Sequence, residues 1–364
     1  MMLGGVSVGL FYLLGRFPSF VESVYSRGLY AGIRWVWDYS LGFSPIPLVY
    51  ICAAGLIVWM VIALIRRRRK NRSLQRPWWK KILYFLSFIG AAAGALTFFF
   101  YFLWGFNYAR IPLEKKLDLN PRPLSVSELK DIYLEAVHSA AETRASVPRA
   151  GEESLEGTVL KPDLEQNLRR RLVDVLREME YPAPGRVRAR IFRPGGWMMR
   201  FSVAGMYVPF LGEGYVSRVL LPFERPFGMA HEMVHGYGFT EEGTANFLAY
   251  LACSRSDDPL IRYSGALEYW MYAARECRRA VPKEYAELAA VIPPGIRSDL
   301  VAISKSRQKY RGRLSQVGRE INDRYLKSQG VREGVLSYNR LLVLVRAWRE
   351  KYPLEEREES PGCL

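Results

Sequence analysis

Two of the chain's three histidines, His231 and His235, lie four residues apart in the segment MAHEMVHGYGFTEEG, with Glu232 between them. On a helix, residues at i and i+4 share a face, so both imidazoles can aim at one ion. In such an HExxH helix, the glutamate takes a proton from a metal-activated water. The spacing therefore predicts that His231 and His235 bind zinc and that Glu232 is the general base of a hydrolase.

A catalytic zinc ion needs a third protein ligand and an open fourth position. No histidine follows this pair, so the acidic candidates are Glu241 and Glu242. The alternative is that Thr240 caps a following helix and that both glutamates only favour its positive end. Glu242 is preferred, because Asn246 stands one turn later and can orient the first histidine through its other ring nitrogen.

Amide hydrolysis also needs a donor for the negative oxygen that forms on the carbonyl. Tyr263, Arg262 and Tyr338 could each donate there; such residues are more often core or surface, and Tyr263 is kept as the candidate. His138 lies far upstream on an amphipathic segment and is expected to be structural or exposed. Glu213 stands between glycines, where a turn residue is expected and a ligand for a substrate amine is the alternative.

Long apolar runs precede these residues. Residues 47–65 and 82–104 contain no charged side chain, and each can cross a hydrocarbon core of about 30 Å. A shorter run over residues 1–15 is expected to be a third, uncleaved span, because no small-residue cleavage site follows it. Gly90 and Gly94 form a small-residue patch that predicts close helix packing.

The net charge of +16 is concentrated between the two long runs. Residues 66–81 carry nine Lys and Arg residues and no acid, which predicts a cytoplasmic loop at the lipid surface. Residues 16–44 are then an external loop, and residues 106–364 lie outside the cytoplasm. No base-stacking or groove-reading motif accompanies the charge, so no nucleic-acid partner is expected.

The remaining pattern predicts a helix-rich domain with one small sheet just before the two histidines. Strands are expected in VRARIF, GMYVPF and YVSRVLLP, and residues 207–210 or 215–221 are the candidate edge for pairing with an extended substrate. Cys253 and Cys277 are either a disulfide or two buried thiols. Predicted helices cover Ser125–Ala145, Lys161–Met179, Ile261–Arg279, Arg307–Ser328 and Gly334–Lys351.

Over nearly its whole length, the chain resembles the bacterial membrane family known as domain of unknown function 3810, which is similar to zinc-dependent peptidases. The segments that carry the resemblance are WGFNY at 104–108, GMYVPF at 205–210, GEG at 212–214, PFGMAHE at 226–232, ANFLAYL at 245–251, RYSG at 262–265, YLKSQG at 325–330 and SYN at 337–339. Some relatives read Glu-x-Glu-Ala-Asn before the second helix. Thr244 replaces the second glutamate here, which leaves Glu242 as the shared acid.

These observations predict transmembrane helices over residues 1–105, followed by a helix-rich α+β zincin-like domain over residues 106–364. The expected protein is a zinc-dependent peptidase of the bacterial plasma membrane that acts on an unidentified peptide or protein. The alternative is a catalytically inactive zincin-like scaffold or binding protein of the cell envelope. An intramembrane protease is disfavoured, because charged residues crowd the histidine segment, namely Glu224, Arg225, Glu241 and Glu242.

Overall fold

The computed structural model describes residues 2–70, 77–310, 312–329 and 340–353. The chain folds into two compact units. The first holds the described residues up to Arg110 together with residues 184–186 and 208–213. The second holds the other described residues from Ile111 onward.

Long apolar helices dominate the first unit. Its elements are α1 (Met2–Leu14), α2 (Pro18–Phe20), a π-helical segment (Val21–Leu29), α3 (Tyr30–Ser40), α4 (Leu48–Lys70), α5 (Trp78–Leu103) and a short 3₁₀ helix (Gly105–Ala109). Helices α4 and α5 are each long and apolar enough to cross a membrane, which confirms the two long predicted spans as helices. Residues 71–76 of the expected basic loop lie outside the described residues.

Helix α1 has 13 residues and is too short to cross a membrane alone. Together with the segment Pro18–Ser40 it is long and apolar enough, but the two are bent by 111° relative to each other. Helix α1 also packs against α5. A Cβ built on Gly4 would lie 2.7 Å from the carbonyl oxygen of Gly94, so the small-residue contact expected at Gly94 is made inside this chain. The two backbones touch directly there.

The expected external loop over residues 16–44 is not irregular, because Pro18–Ser40 is helical; its external location stays a prediction. Three charged residues of this segment, Glu22, Arg34 and Asp38, are buried and paired. The Glu22 carboxylate accepts hydrogen bonds of 2.9 Å from both Nε and Nη2 of Arg110, and Arg34 forms an ion pair with Asp38. Charges that normally indicate a solvent-exposed loop are here inside the first unit.

Glu213 also has a structural partner. Its Oε2 accepts a hydrogen bond of 2.9 Å from the backbone N–H of Leu48, at the start of α4. A carboxylate at that position satisfies one of the unpaired N–H groups of the helix and opposes the positive end of its dipole.

The second unit is mostly helical, as predicted. Its helices are α6 (Leu113–Lys116), α7 (Val126–Ala145), α8 (Leu164–Glu178), α9 (Gly195–Arg200), α10 (Arg225–Gly236), α11 (Glu242–Ser254), α12 (Pro259–Ala280), α13 (Tyr285–Ala290), α14 (Pro294–Gln308), α15 (Arg313–Ser328) and α16 (Arg340–Lys351), with a 3₁₀ turn at Leu155–Gly157. Helix α7 begins where Ser125 and Glu128 form a reciprocal capping box. It packs along α12, where the rings of Tyr133 and Trp270 lie 5.9 Å apart.

The three predicted strands are present as β1 (Arg188–Phe192), β2 (Gly205–Val208) and β3 (Glu213–Ser217). Their order in the sheet is β1-β3-β2. Strand β3 is therefore central and hydrogen-bonded on both sides, so the alternative that residues 215–221 form a free edge is wrong. Strand β2 is an edge strand of the sheet and lies next to β3.

One further expectation needs correction. The helix predicted over Arg307–Ser328 is two helices, because α14 ends at Gln308 and α15 begins at Arg313, after Gly312. Of the two alternatives for Cys253 and Cys277, the structure has the buried free thiols and not the disulfide. Cys363 and residues 330–339 lie outside the described residues.

A buried carboxylate joins distant parts of the second unit. Asp299 is fully buried and accepts hydrogen bonds from Arg144 Nε at 2.8 Å, from the Leu155 N–H at 2.8 Å and from the Tyr263 hydroxyl at 2.6 Å. A buried guanidinium needs such a partner, since an uncompensated buried charge is strongly destabilising.

We predict that Asp299→Asn lowers the free energy of unfolding by about 3–5 kcal/mol, because it leaves the Arg144 charge buried without its counter-ion. The measurement is chemical denaturation of the full chain in detergent. Asp257→Asn is the matched control, since Asp257 pairs with Arg171 at the surface and such pairs contribute at most about 1 kcal/mol. Equal effects of the two substitutions would contradict a structural role for the Asp299 network.

Candidate metal centre

Helix α10 forms the floor of the centre. Pro226 occupies its first turn, where a missing N–H costs nothing, and the N–H of Phe227 donates to Ser264 Oγ of α12 at 3.0 Å. Met229, Ala230, Met233 and Val234 are all buried. The uncharged flanks of the two histidines therefore pack into the core.

The turn after α10 places the second helix. Gly238 has φ +86°, a conformation that glycine adopts without strain. The Glu241 carboxylate then caps α11 by accepting from the N–H groups of Gly243 at 3.1 Å and Thr244 at 2.5 Å. Glu241, not Thr240, is thus the cap, and its carboxylate is used at the helix terminus.

Three ligand-type side chains converge between α10 and α11. His231 Nε2 lies 3.1 Å from His235 Nε2 and 3.1 Å from Glu242 Oε2. His235 Nε2 lies 3.5 Å from the same carboxylate oxygen. One candidate ligand atom from each residue falls within 4.8 Å of the others. The structure therefore brings together the three residues that the spacing singled out.

The outer nitrogen of each imidazole is hydrogen-bonded. His235 Nδ1 donates to the carbonyl oxygen of Phe239 at 2.7 Å. His231 Nδ1 donates to Asn246 Oδ1 at 2.8 Å, and Asn246 Nδ2 in turn donates to the Tyr272 hydroxyl at 3.0 Å. Asn246 thus occupies the orienting position expected for it. The sequence analysis missed Tyr272, because no motif marks it among the aromatic residues of α12.

This donor set fits a zinc ion. Protons on both Nδ1 atoms leave lone pairs on both Nε2 atoms, and two lone pairs 3.1 Å apart beside a carboxylate repel each other unless a positive charge lies among them. Glu242 Oε2 is buried, and no residue in the described ranges hydrogen-bonds to it. Two imidazoles and one carboxylate are the ligands of known catalytic zinc sites.

Electrostatic attraction between Glu242 and the two histidines shifts the pKa values of Glu242 and His235. Burial raises the pKa of Glu242, but the imidazoles of His235 and His231 outweigh it and hold that pKa well below its usual range. Burial lowers the pKa of His235, and the Glu242 carboxylate more than compensates, raising the pKa to about 9. Glu242 is therefore ionised, as a metal ligand must be.

Glu232 lies against the sheet. A Cβ built on Gly214 would lie 2.5 Å from Glu232 Cβ, and one built on Gly205 would overlap Glu232 Oε1. The backbones of β3 and of the edge strand β2 thus pass directly over this side chain. Burial raises the pKa of Glu232 to about 7, with the two histidines lowering it and Glu242 raising it further.

The proposed oxyanion donors are engaged elsewhere. Tyr263 is buried and its hydroxyl donates to Asp299 Oδ2, so the expectation that Tyr263 stabilises an oxyanion is wrong. Arg262 Nη1 donates to the carbonyl oxygen of Ser256 at 2.8 Å. Tyr338 lies outside the described residues. His138 is exposed, with Nε2 3.0 Å from Glu142 Oε1.

We predict that Glu241→Ala lowers the free energy of unfolding by about 1 kcal/mol, because α11 loses its N-terminal cap. Chemical denaturation of the full chain in detergent measures the change. Glu152→Ala removes an exposed glutamate and should change the same quantity by less than about 0.5 kcal/mol. An unchanged stability of Glu241→Ala would argue against the capping role.

Comparison with known proteins identifies the family of this chain. The family described as "Protein of unknown function (DUF3810)" matches residues 25–345. No curated protein and no solved structure matches the chain. Because the family match covers most of the sequence, the resemblance noted above is confirmed, and the chain belongs to the DUF3810 family.

Proposed function

We propose that the protein is a membrane-anchored, zinc-dependent peptidase. The observation that carries the proposal is the convergence of His231, His235 and Glu242, with Glu232 one residue along the same helix. The three ligand-type residues would hold the ion. When bound, zinc supplies Lewis-acid chemistry, which makes water more acidic and a carbonyl carbon more electrophilic.

Glu232 has the properties of a general base. It is buried, no described residue hydrogen-bonds to its Oε2, and its pKa of about 7 suits proton transfer near neutral pH. Glu232 would accept a proton from the attacking water as the water oxygen bonds to the peptide carbonyl carbon. It would then pass that proton to the amine that leaves when the C–N bond breaks.

Edge strand β2 offers a binding surface for the substrate. An extended peptide can add to a free strand edge through backbone hydrogen bonds. Gly205 begins β2 and lies against Glu232, so a peptide paired with this strand would run past the general base. This favours peptides over small molecules as substrates.

The proposed location is the outer face of a bacterial plasma membrane. The basic run of residues 66–81 favours the cytoplasm for the connection between α4 and α5. The second unit, which follows α5 in the chain, would then lie outside the cytoplasm.

One observation favours a second candidate, a catalytically inactive scaffold. With its pKa raised to about 9, a protonated His235 would pair with Glu242 without any metal. The cluster would then be a buried ion pair that stabilises the fold, and metal content separates the two functions.

We predict about one zinc ion per chain in the full-length protein purified in detergent, as expected for a single three-ligand site. His231→Ala should lose this zinc, because two ligands hold the ion poorly. His138→Ala removes the exposed histidine and should retain it. The measurement is elemental analysis by mass spectrometry, and folded wild-type protein free of zinc after growth with zinc would support the scaffold.

We predict that Glu232→Gln keeps the zinc but lowers peptide hydrolysis by about 10²–10⁴-fold, the usual contribution of a general base. Cleavage of a random peptide library by the full chain, followed by mass spectrometry, measures the activity. Glu142→Gln changes an exposed glutamate on α7 and should leave cleavage unchanged. Cleavage at the wild-type rate by Glu232→Gln would exclude Glu232 from the reaction.

A further inference from the structure

Glu268 on α12 is a carboxylate that the proposed mechanism does not use. It is partly buried, and none of the residues that the structure describes donates a hydrogen bond to it or forms an ion pair with it. A carboxylate removed from water costs free energy unless a donor or a positive charge compensates it. An acid that the fold keeps without a partner therefore needs an explanation.

The position of Glu268 on α12 directs it towards the metal centre. Ser264, Glu268 and Tyr272 follow one another at intervals of four residues, so they form one row along the helix. Ser264 Oγ accepts a hydrogen bond of 3.0 Å from the N–H of Phe227 in the first turn of α10. The Tyr272 hydroxyl accepts one of 3.0 Å from Asn246, which orients the first imidazole. Both ends of the row thus contact the elements that build the centre, and Glu268 lies between them.

Glu268 and His231 occupy matching positions on two packed helices. Helices α10 and α12 are in contact, and the hydrogen bond between Phe227 and Ser264 sets their register. His231 follows Phe227 by one helical turn, as Glu268 follows Ser264. Burial raises the pKa of Glu268, and the charge of His231 is among those that lower it. The carboxylate therefore lies within electrostatic reach of the first histidine.

Two arginines act on Glu268 electrostatically, but other groups hold both of them. Burial raises the pKa of Glu268 above its usual range, and the Arg307 guanidinium is the largest opposing charge. Arg307 forms its ion pair with Glu224. Arg275 also lowers the pKa, and its guanidinium lies over the ring of Tyr272, 5.1 Å from the ring centroid. The negative charge of Glu268 is thus left for a ligand.

We infer that Glu268 binds an ammonium group of a peptide substrate beside the metal centre. The inference rests on the proposed peptidase function and deepens it, because it assigns a positive charge to the substrate. A carboxylate and an ammonium form a charge-assisted hydrogen bond. The ammonium has two sources, the N-terminus of the peptide and a lysine side chain. The first would make the enzyme an aminopeptidase, and the second would give it a preference for lysine near the cleaved bond.

The test is the binding of three hydroxamates of similar size to the zinc-loaded full chain in detergent, measured by isothermal titration calorimetry. The hydroxamate group ligates zinc, so it anchors each compound at the centre. Norleucine hydroxamate carries an α-ammonium, Nα-acetyl-lysine hydroxamate carries a side-chain ammonium, and Nα-acetyl-norleucine hydroxamate carries neither. At least one of the first two should bind about 10–100-fold more tightly than the third, as expected for a hydrogen bond between charged groups.

Two glutamine variants identify the acid that is responsible. Glu268→Gln should remove this preference but keep the affinity for the neutral hydroxamate, the zinc content and the denaturation midpoint, because it removes the charge and keeps the shape. Glu276→Gln is the matched control and should retain the preference. Glu276 is another partly buried glutamate of α12, and it pairs with Arg279 at 2.7 Å.

The outcomes separate this inference from the proposed function. Equal affinity of the wild-type chain for all three compounds would overturn the inference and leave the peptidase proposal intact. A preference that persists in Glu268→Gln would also overturn it, because another acid then binds the ammonium. If none of the three hydroxamates binds, the zinc centre itself is contradicted, and the inference fails with it.

Discussion

The hydrogen bonds to the two Nδ1 atoms determine what the centre can bind. The carbonyl oxygen of Phe239 and the amide oxygen of Asn246 each accept a hydrogen bond from the Nδ1–H of one imidazole, so the Nε2 of each ring faces inward and carries a lone pair when the ring is neutral. Glu242 adds a negative charge at the same point. With both rings neutral, two lone pairs and an anion would face a bound cation; without one, a protonated His235 would balance the charge of Glu242. The turn at Gly238 and the cap by Glu241 serve to keep these acceptors in place.

The parts of the centre that could be predicted depend on local spacing. His231, Glu232 and His235 belong to one helix, and Asn246 follows Glu242 by one turn, so helical periodicity was enough. The choice between Glu241 and Glu242 was harder, because the two are adjacent and only the cap geometry distinguishes them. Tyr263 was misjudged because its hydroxyl meets Asp299, 36 residues further along the chain, and Tyr272 was missed for a similar reason. No local sequence pattern predicts a contact between residues so far apart in the chain.

For the fold, too, local patterns could be predicted and tertiary arrangements could not. Apolar length alone indicates α4 and α5, and alternating short runs indicate the three strands. The order β1-β3-β2 could not be predicted, because it depends on which strand inserts between its neighbours. Residues 16–44 were expected as an external loop because they connect two predicted spans, and no apolar run marks a helix there. Tertiary pairing inside the first unit, as between Glu22 and Arg110, accommodates the charges of this helical segment.

The Asp299 network has a consequence for biosynthesis. Its carboxylate is the last partner to leave the ribosome, since Arg144, Leu155 and Tyr263 all precede it in the chain. A nascent chain that has not yet extended beyond this residue has an arginine with no counter-ion at the position of the future core. The second unit therefore cannot reach its final packing during early translation. A chain that ends before residue 299 would lack the partner of Arg144, and an uncompensated buried charge is strongly destabilising.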